Sequence, residues 1–310
     1  MAEKKTREEK MSEIQLKLEN GVRDIFESDR YKEYIQTMSK FPHYSINNCI
    51  LIASQKPDAT YVCGFKKWQE FGRAVNKGSH GIMIIAPVKV KGSEKEQVLD
   101  ENSKPVIGAD GQPVMEEVTR EYQSFRTAYV FDYADTSGDP LPSITSMLEE
   151  SVESFEELKE VLIKVSPVPI TFEPITTGAN GFYSPTELRI VVKDDLPQLQ
   201  TIKTMIHEIG HASLGHGSKE DKWDRETKEV QAESVAYWVT QMLGLDTSDY
   251  SFGYIGGWSK DKEVSELKES LDVIKTTADE ISRKIEDALS ENRVKEEAET
   301  VSVPHRAKSR

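Results

Sequence analysis

The chain has 310 residues, 30% charged and 37% hydrophobic, with a net charge of −14. No window approaches the roughly 18 uninterrupted apolar residues needed to span a bilayer. The opening MAEKKTREEKMSEIQ lacks the apolar core of a signal peptide, so a cytoplasmic protein with no membrane partner is expected. Cys49 and Cys63 are the only two cysteines, too few for a disulfide framework, and read as small buried hydrophobes. Residues 1–132 carry 20 basic and 20 acidic side chains, so the whole −14 lies in the remainder. Within the neutral part, residues 60–93 hold Lys66, Lys67, Arg73, Lys77, Lys89 and Lys91 against the single acid Glu70. That local excess of positive charge is a field an anion would feel.

In chain order, residues 12–40 predict helix, with apolar positions at Ile14, Leu18, Val22 and Ile25 and again at Tyr31, Tyr34, Ile35 and Met38. Pro42 ends it, and YSINNCILIASQ (44–55) predicts a second helix entered through a polar cap. Over 59–90 a short strand, a short helix around Trp68 and the β-rich run GIMIIAPVKV follow. Residues 92–121 lose apolar periodicity and read as a long hairpin tip or a flexible insertion. FRTAYVFDYADT (125–136) predicts a strand, and 137–150 reads as a linker.

SFEELKEVLIKV (154–165) predicts a helix, and PVPITFEP and LRIVV two strands. The strand LRIVV is a candidate for pairing with an extended peptide. Asp194 and Asp195 are candidate N-caps for the next helix, with Pro197 in its first turn. A further helix is expected from about Arg225 to Leu243, stopping at Gly244. Residues 259–290 carry a heptad seam, Val264, Leu267, Leu271, Ile274, Ala278, Ile281, Ile285 and Ala288. Such a seam either lies along its own domain or makes a homodimer through 259–290. The tail 291–310 is polar and expected to be disordered.

The stretch TIKTMIHEIGHASLGH (201–216) carries the chemistry. Residues four apart share a helix face, so His207 and His211 offer two imidazoles to one tetrahedral Zn2+, with Glu208 beside the water that attacks. A third ligand is required, and RETKEVQAESVAYW supplies Glu229 and Glu233 one turn apart. Glu229 is the favoured ligand and Glu233 the carboxylate that orients a histidine, with the reverse assignment left open. The expected chemistry is amide hydrolysis with Glu208 as general base. Tyr183, Tyr237 and His216 are candidate oxyanion donors, with His216 also suited to capping its helix end.

On the basic segment, Tyr61, Phe65, Trp68 and Phe71 interleave with Lys66, Lys67, Arg73, Lys77 and His80. Cations along a backbone and rings under bases are what sequence-tolerant single-strand binding needs. Asn47 and Asn48 are further candidates for base or phosphate contacts. The competing reading makes Trp68 and Phe71 core residues and Asn47 a helix cap.

FYSPTELRIVV, TMIHEIGHASLGH, KEVQAESVAYW and YIGGW together resemble the zincin-like metallopeptidase domain of ArdC-type antirestriction proteins, and more distantly the ImmA/IrrE peptidases. HYSINNCILIASQKPDATYVCGFKKWQEFGRAVNKGSHGIMIIAPV resembles the ArdC-like N-terminal domain found on conjugative elements and phages, although VFDYADT has no Gln where that family usually carries one.

The resemblance implies an α+β architecture in five parts: a single-stranded-DNA-binding domain over 1–136 with 92–121 as a flexible insertion, a linker over 137–150, a zincin-like domain over 151–258, a long helix over 259–290 and the tail. It also implies His207, His211 and Glu229 as metal ligands, Glu208 as catalytic base, single-stranded DNA as a partner and protection of incoming DNA from restriction. The protein substrate is not implied. Two other readings stand beside it: a DNA-binding module whose metal domain does not catalyse, and an ImmA/IrrE-like protease that cleaves a repressor.

Overall fold

The computed structural model describes residues 7–27, 30–98, 104–108, 111–140, 155–245, 247, 250, 252 and 255–302. Three helices come first: α1 (Arg7–Glu27), α2 (Tyr31–Ser39) and α3 (Ile46–Gln55). The helical stripe Ile14, Leu18, Val22 and Ile25 is buried throughout, as its spacing requires. The Ser45 hydroxyl caps α3 by accepting the Asn48 backbone N–H. Asn47 therefore has no capping role.

A three-stranded antiparallel sheet follows, in the order β1 (Val62–Gly64), β4 (Met115–Asp132), β3 (Ile82–Gln97). Its register pairs Val62 with Asp132, Ile82 with Val130 and Gln97 with Met115. The ladder between β3 and β4 runs unbroken into residues 92–97 and 115–121. Much of the segment that lost its periodicity is thus a two-stranded arm. Its strands face water on both sides, so the pairing leaves no alternation of apolar and polar residues to read.

The outer edge of β3 is closed by α3. Asn48 donates its amide to Ile85 O at 2.8 Å and accepts Ile85 N–H at 2.9 Å. One helical face further on, Gln55 does the same at Met83, at 2.9 and 3.1 Å. Two side-chain amides seven residues apart thereby imitate a neighbouring strand, and Pro87 blunts the edge beyond them.

Between these strands lie α4 (Phe65–Glu70) and the ribbon β2 (Arg73–Val75) with β5 (Thr136–Gly138). The Arg73 guanidinium holds that ribbon, bonding Thr136 Oγ1 at 2.8 Å and Gly138 O at 3.0 Å over the Tyr133 ring.

In the second half, α5 (Phe155–Val165) precedes a sheet in the order β6 (Ile170–Glu173), β8 (Arg189–Lys193), β7 (Gly181–Ser184). β8 carries LRIVV and is central, parallel to β6 and antiparallel to β7. Both its edges are occupied, so it cannot add an extended peptide, which corrects the expectation for that strand.

Next come α6 (Gln198–Ser213), α7 (Arg225–Met242), the short α8 (Ile255–Ser259) and α9 (Val264–Ser302). Pro197 occupies the N-cap of α6, while Asp195 pairs with Lys193 instead of capping. Asp224 caps α7 through the Thr227 N–H at 2.7 Å.

Leu267, Leu271, Ile274, Ala278, Ile281, Ile285 and Ala288 are all buried within the chain. α9 lays them on α7, α5, α1 and α3. This overturns the homodimer expectation for 259–290, because a covered seam has no area left to offer a second copy. α9 also continues past 290 to Ser302, into the stretch expected to be disordered; residues 303–310 lie outside the described residues.

The two halves share one core that runs from Ile14 to Leu289. Tyr31 Oη meets Ser234 Oγ at 2.8 Å, and Lys32 donates to Thr247 O and Tyr250 O at 3.0 and 2.8 Å. The architecture is α+β with a long C-terminal helix. Most of the linker expected over 137–150 falls outside the described residues. No described helix is long and apolar enough to cross a membrane.

Candidate metal centre

α6 and α7 pack side by side and bring together three of the residues expected to bind metal. His207 Nε2 and His211 Nε2 lie 3.1 Å apart, and Glu229 Oε2 is 3.7 Å from each. All three donor atoms fall within 4.8 Å of one another. Donors held about 2.0–2.1 Å from a tetrahedral ion stand roughly 3.3 Å apart, so the triangle fits a zinc-sized cation. A two-histidine, one-carboxylate set also suits its chemistry.

The remaining nitrogen of each imidazole is anchored. His207 Nδ1 sits 3.2 Å from Glu233 Oε2. His211 Nδ1 lies 2.8 Å from His216 Nδ1, His216 Nε2 meets Gln231 Oε1 at 3.0 Å, and Gln231 donates to Ser270 Oγ on α9 at 3.1 Å. Because Gln231 presents its oxygen to His216, His216 carries its proton on Nε2 and accepts from His211 Nδ1–H. The lone pair of His211 is therefore on Nε2, aimed at the triangle. The His216 ring belongs to this relay, while its backbone N–H donates to His211 O at 3.1 Å past the left-handed Gly215 and so caps the end of α6, as expected.

The electrostatics follow from burial and carboxylates. Burial works to lower the His207 pKa, but its hydrogen bonds to the acceptors Glu229 and Glu233 and the charge of Glu208 outweigh it and raise the group to about 10. The same bonds to His207 and His211 hold Glu229 well below the usual carboxylate range. Burial pushes His216 down to about 4, keeping it neutral. Burial raises Glu208 above its ordinary value, against the charges of both histidines and the Tyr183 backbone N–H.

Glu208 lies where β7 crosses α6. A Cβ on Gly181 would stand 2.7 Å from Thr204 Cγ2, 2.9 Å from Val191 O and 3.5 Å from Glu208 Cγ. Only glycine permits that approach. A cleft of about 220 Å³ opens beside it, lined by Asn180, Gly181, Gln200, Lys203, Thr204, His207, Glu208, Glu233 and Tyr250. Tyr183, expected as a catalytic donor, contributes its backbone N–H to Glu208, and its phenol is not part of the cleft lining. Tyr237 is enclosed against Tyr250 and Phe252. Tyr250 does line the cleft, and no motif announced it, since it arrives there through the chain that follows α7.

The residues expected to touch nucleic acid separate into two groups. Trp68 is wholly buried, donates its indole N–H to Phe131 O at 2.9 Å and is ringed by Tyr61, Phe71 and Tyr133. Its faces are spent on the core, so it is not a stacking platform. Arg73 and Asn48 are likewise consumed by backbone bonds to the ribbon and to β3. Asn47 Oδ1 is buried with no bonding partner. Lys66, Lys67 and Lys77 are exposed, with Lys67 paired to Glu70 at 2.8 Å.

Comparison with known proteins gives two adjoining family matches. Residues 4–131 match the N-terminal domain of anti-restriction factor ArdC. Residues 124–228 match a family described as "Putative metallopeptidase family (DUF6782)". An uncharacterized protein of Bacillus anthracis, pXO2-81, is 27% identical over 84% of this chain and 48% of its own length. DNA primase TraC of Escherichia coli is 30% identical over 76% of this chain and 16% of its own. The chain thus spans about half the length of one curated relative and about a sixth of the other.

Crystal structures of the antirestriction ArdC protein from the R388 plasmid, metal-free and Mn(II)-bound, align over 81% and 90% of this chain and 86% and 97% of theirs. Their identities are 21% and 18%, with TM-scores of 0.42 and 0.48. The chain is of the ArdC type, an ArdC N-terminal domain continued by a metallopeptidase-family segment.

Proposed function

We propose that this chain is an antirestriction protein of a mobile element, combining single-stranded-DNA binding by residues 1–136 with a zinc-dependent peptidase site in residues 151–258, and acting in the cytoplasm. The observation that carries the peptidase half is the convergence of His207 Nε2, His211 Nε2 and Glu229 Oε2 beside a buried carboxylate. The DNA half is supported by the ArdC-domain match and by the basic excess of residues 60–93.

His207, His211 and Glu229 hold the ion, and zinc supplies Lewis acidity toward the scissile carbonyl when bound. Glu233 fixes the His207 ring and the His216 relay fixes His211. Glu208, raised by burial, takes the proton of the attacking water and returns it to the leaving amine. The Tyr183 N–H keeps that carboxylate in place between the two transfers.

Metal analysis tests the reading directly. Purified protein should carry about one zinc per chain, lost in His207→Ala; no bound metal in the parent protein rejects the peptidase site. A Glu208→Gln trap, read by mass spectrometry, identifies the protein substrate. Recovery of a transcriptional repressor would replace antirestriction with regulation.

A further inference from the structure

Trp68 leaves the DNA reading without its ring platform, and the fold supplies another. Successive residues of β4 alternate between faces. Val130 and Asp132 turn into the protein, at 4% and 0% exposure. Phe125, Tyr129 and Phe131 therefore point the other way, and Phe125 and Tyr129 are 49% and 52% exposed. Side chains that keep about half their surface accessible are not core positions.

The row extends sideways. Phe65, 51% exposed at the start of α4, meets Phe131 edge-on at 6.5 Å. Gly81 lies beneath Tyr129 and Phe131, and a Cβ there would crowd both rings at 3.1–3.3 Å. Alternate strand residues are about 7 Å apart, so Phe65, Phe131, Tyr129 and Phe125 form a stepped line along the sheet.

Cations flank it. Lys89 and Lys91 oppose Gln123 and Glu121 in the register, which puts them on the same face as Phe125. Lys89 has one acid near, Glu121 at 3.9 Å, and Lys66 and Lys77 are exposed on the adjoining segments. Six bases against one acid over residues 60–93 stand out in a chain of net charge −14.

We infer that this outward face of β4, and not Trp68, is where single-stranded nucleic acid binds, with bases stacking on Phe125, Tyr129 and Phe65 and phosphates following Lys89, Lys91 and Lys66. The inference rests on the single-strand reading above and assigns it a place. Rings and cations without an ordered set of hydrogen-bond donors favour an unpaired strand of any sequence. A duplex keeps its base faces covered and offers those rings nothing.

The test is fluorescence anisotropy of a labelled oligothymidylate with the full-length protein. Phe125→Ala/Tyr129→Ala should weaken binding by roughly 5- to 150-fold for each base that loses its ring. Tyr129→Phe should keep it. Lys89→Ala/Lys91→Ala should flatten the slope of log affinity against log salt by about 1.4, two phosphate contacts at roughly 0.7 each.

Tyr122 supplies the internal control, because it is exposed on the opposite face of the same arm. Tyr122→Ala should bind as the parent does. Parent-like affinity in Phe125→Ala/Tyr129→Ala, or an equal loss in Tyr122→Ala, overturns this face while leaving DNA binding standing. A parent protein that ignores the oligonucleotide at low salt overturns both.

Discussion

His211 Nδ1 and His216 Nδ1 lie 2.8 Å apart, and that contact ties the metal centre to the far side of the molecule. Through Gln231 and Ser270 the relay ends on α9, so the long C-terminal helix helps set the tautomer of His211. Removing such a partner leaves every ligand present but lets one swing. His216→Ala should therefore still bind zinc, with affinity lowered about 10- to 100-fold, measured by competition with a chromophoric chelator. An affinity equal to that of the parent would show that α6 alone orients His211.

Glu208 should separate binding from turnover. It is absent from the donor triangle, yet buried beside it. Glu208→Gln keeps the shape and loses the base. The expected result is an unchanged zinc content with hydrolysis of a fluorogenic peptide library reduced by roughly 10²- to 10⁴-fold. Loss of the metal in this variant would instead make Glu208 a ligand.

Asn48 gives a stability prediction that also reassigns a residue. Its amide closes the β3 edge at Ile85, so Asn48→Ala strands a backbone N–H and a C=O. The cost should be about 1–3 kcal/mol, read as a lower denaturant midpoint. The variant, once folded, should bind single-stranded DNA as the parent does. A selective loss of DNA affinity at parental stability would restore Asn48 to the binding surface.

The difference between Asn48 and His207 explains what the sequence could and could not reveal. His207, His211 and Glu208 are legible because a helix fixes which residues share a face within one turn. Glu229 and Glu233 were readable as a pair for the same reason, and only packing of α6 on α7 distinguishes them: Glu229 reaches Nε2 of both histidines, Glu233 reaches Nδ1 of one.

The sequence does not separate the buried Trp68 and Arg73 from the exposed Lys66 and Lys77, because aromatic–basic interleaving is one-dimensional. Trp68 and Phe65 sit three apart, yet one is sealed and the other is in water. Tyr129 and Phe131, by contrast, lie more than sixty residues from Phe65 and come beside it only through the β1–β4 register. Of the two readings of the α9 seam the packing selects one: a heptad pattern records that a face is covered, and α1, α3, α5 and α7 of the same chain cover it.

Asp221 carries the last prediction, a pH dependence. It stands in the turn between α6 and α7, accepting Gly217 N–H at 2.6 Å, Trp223 N–H at 3.0 Å and the Lys228 ammonium at 2.9 Å. Burial opposes its charge, but those three donors outweigh burial and lower its pKa to about 2. An unfolded aspartate titrates near 3.9, roughly two units higher. Because the folded value is the lower one, the unfolded chain takes up the proton first as acid is added. The contribution of Asp221 is therefore complete above about pH 4 and disappears as the pH falls toward 2. Asp221→Asn should be less stable than the parent at neutral pH, by an amount that shrinks across that window until the two coincide. Urea midpoints measured from pH 6 down to pH 2 give the comparison. A gap between parent and variant that stays constant through the window would mean that the carboxylate charge does not stabilise this turn, and that the hydrogen-bond geometry alone does.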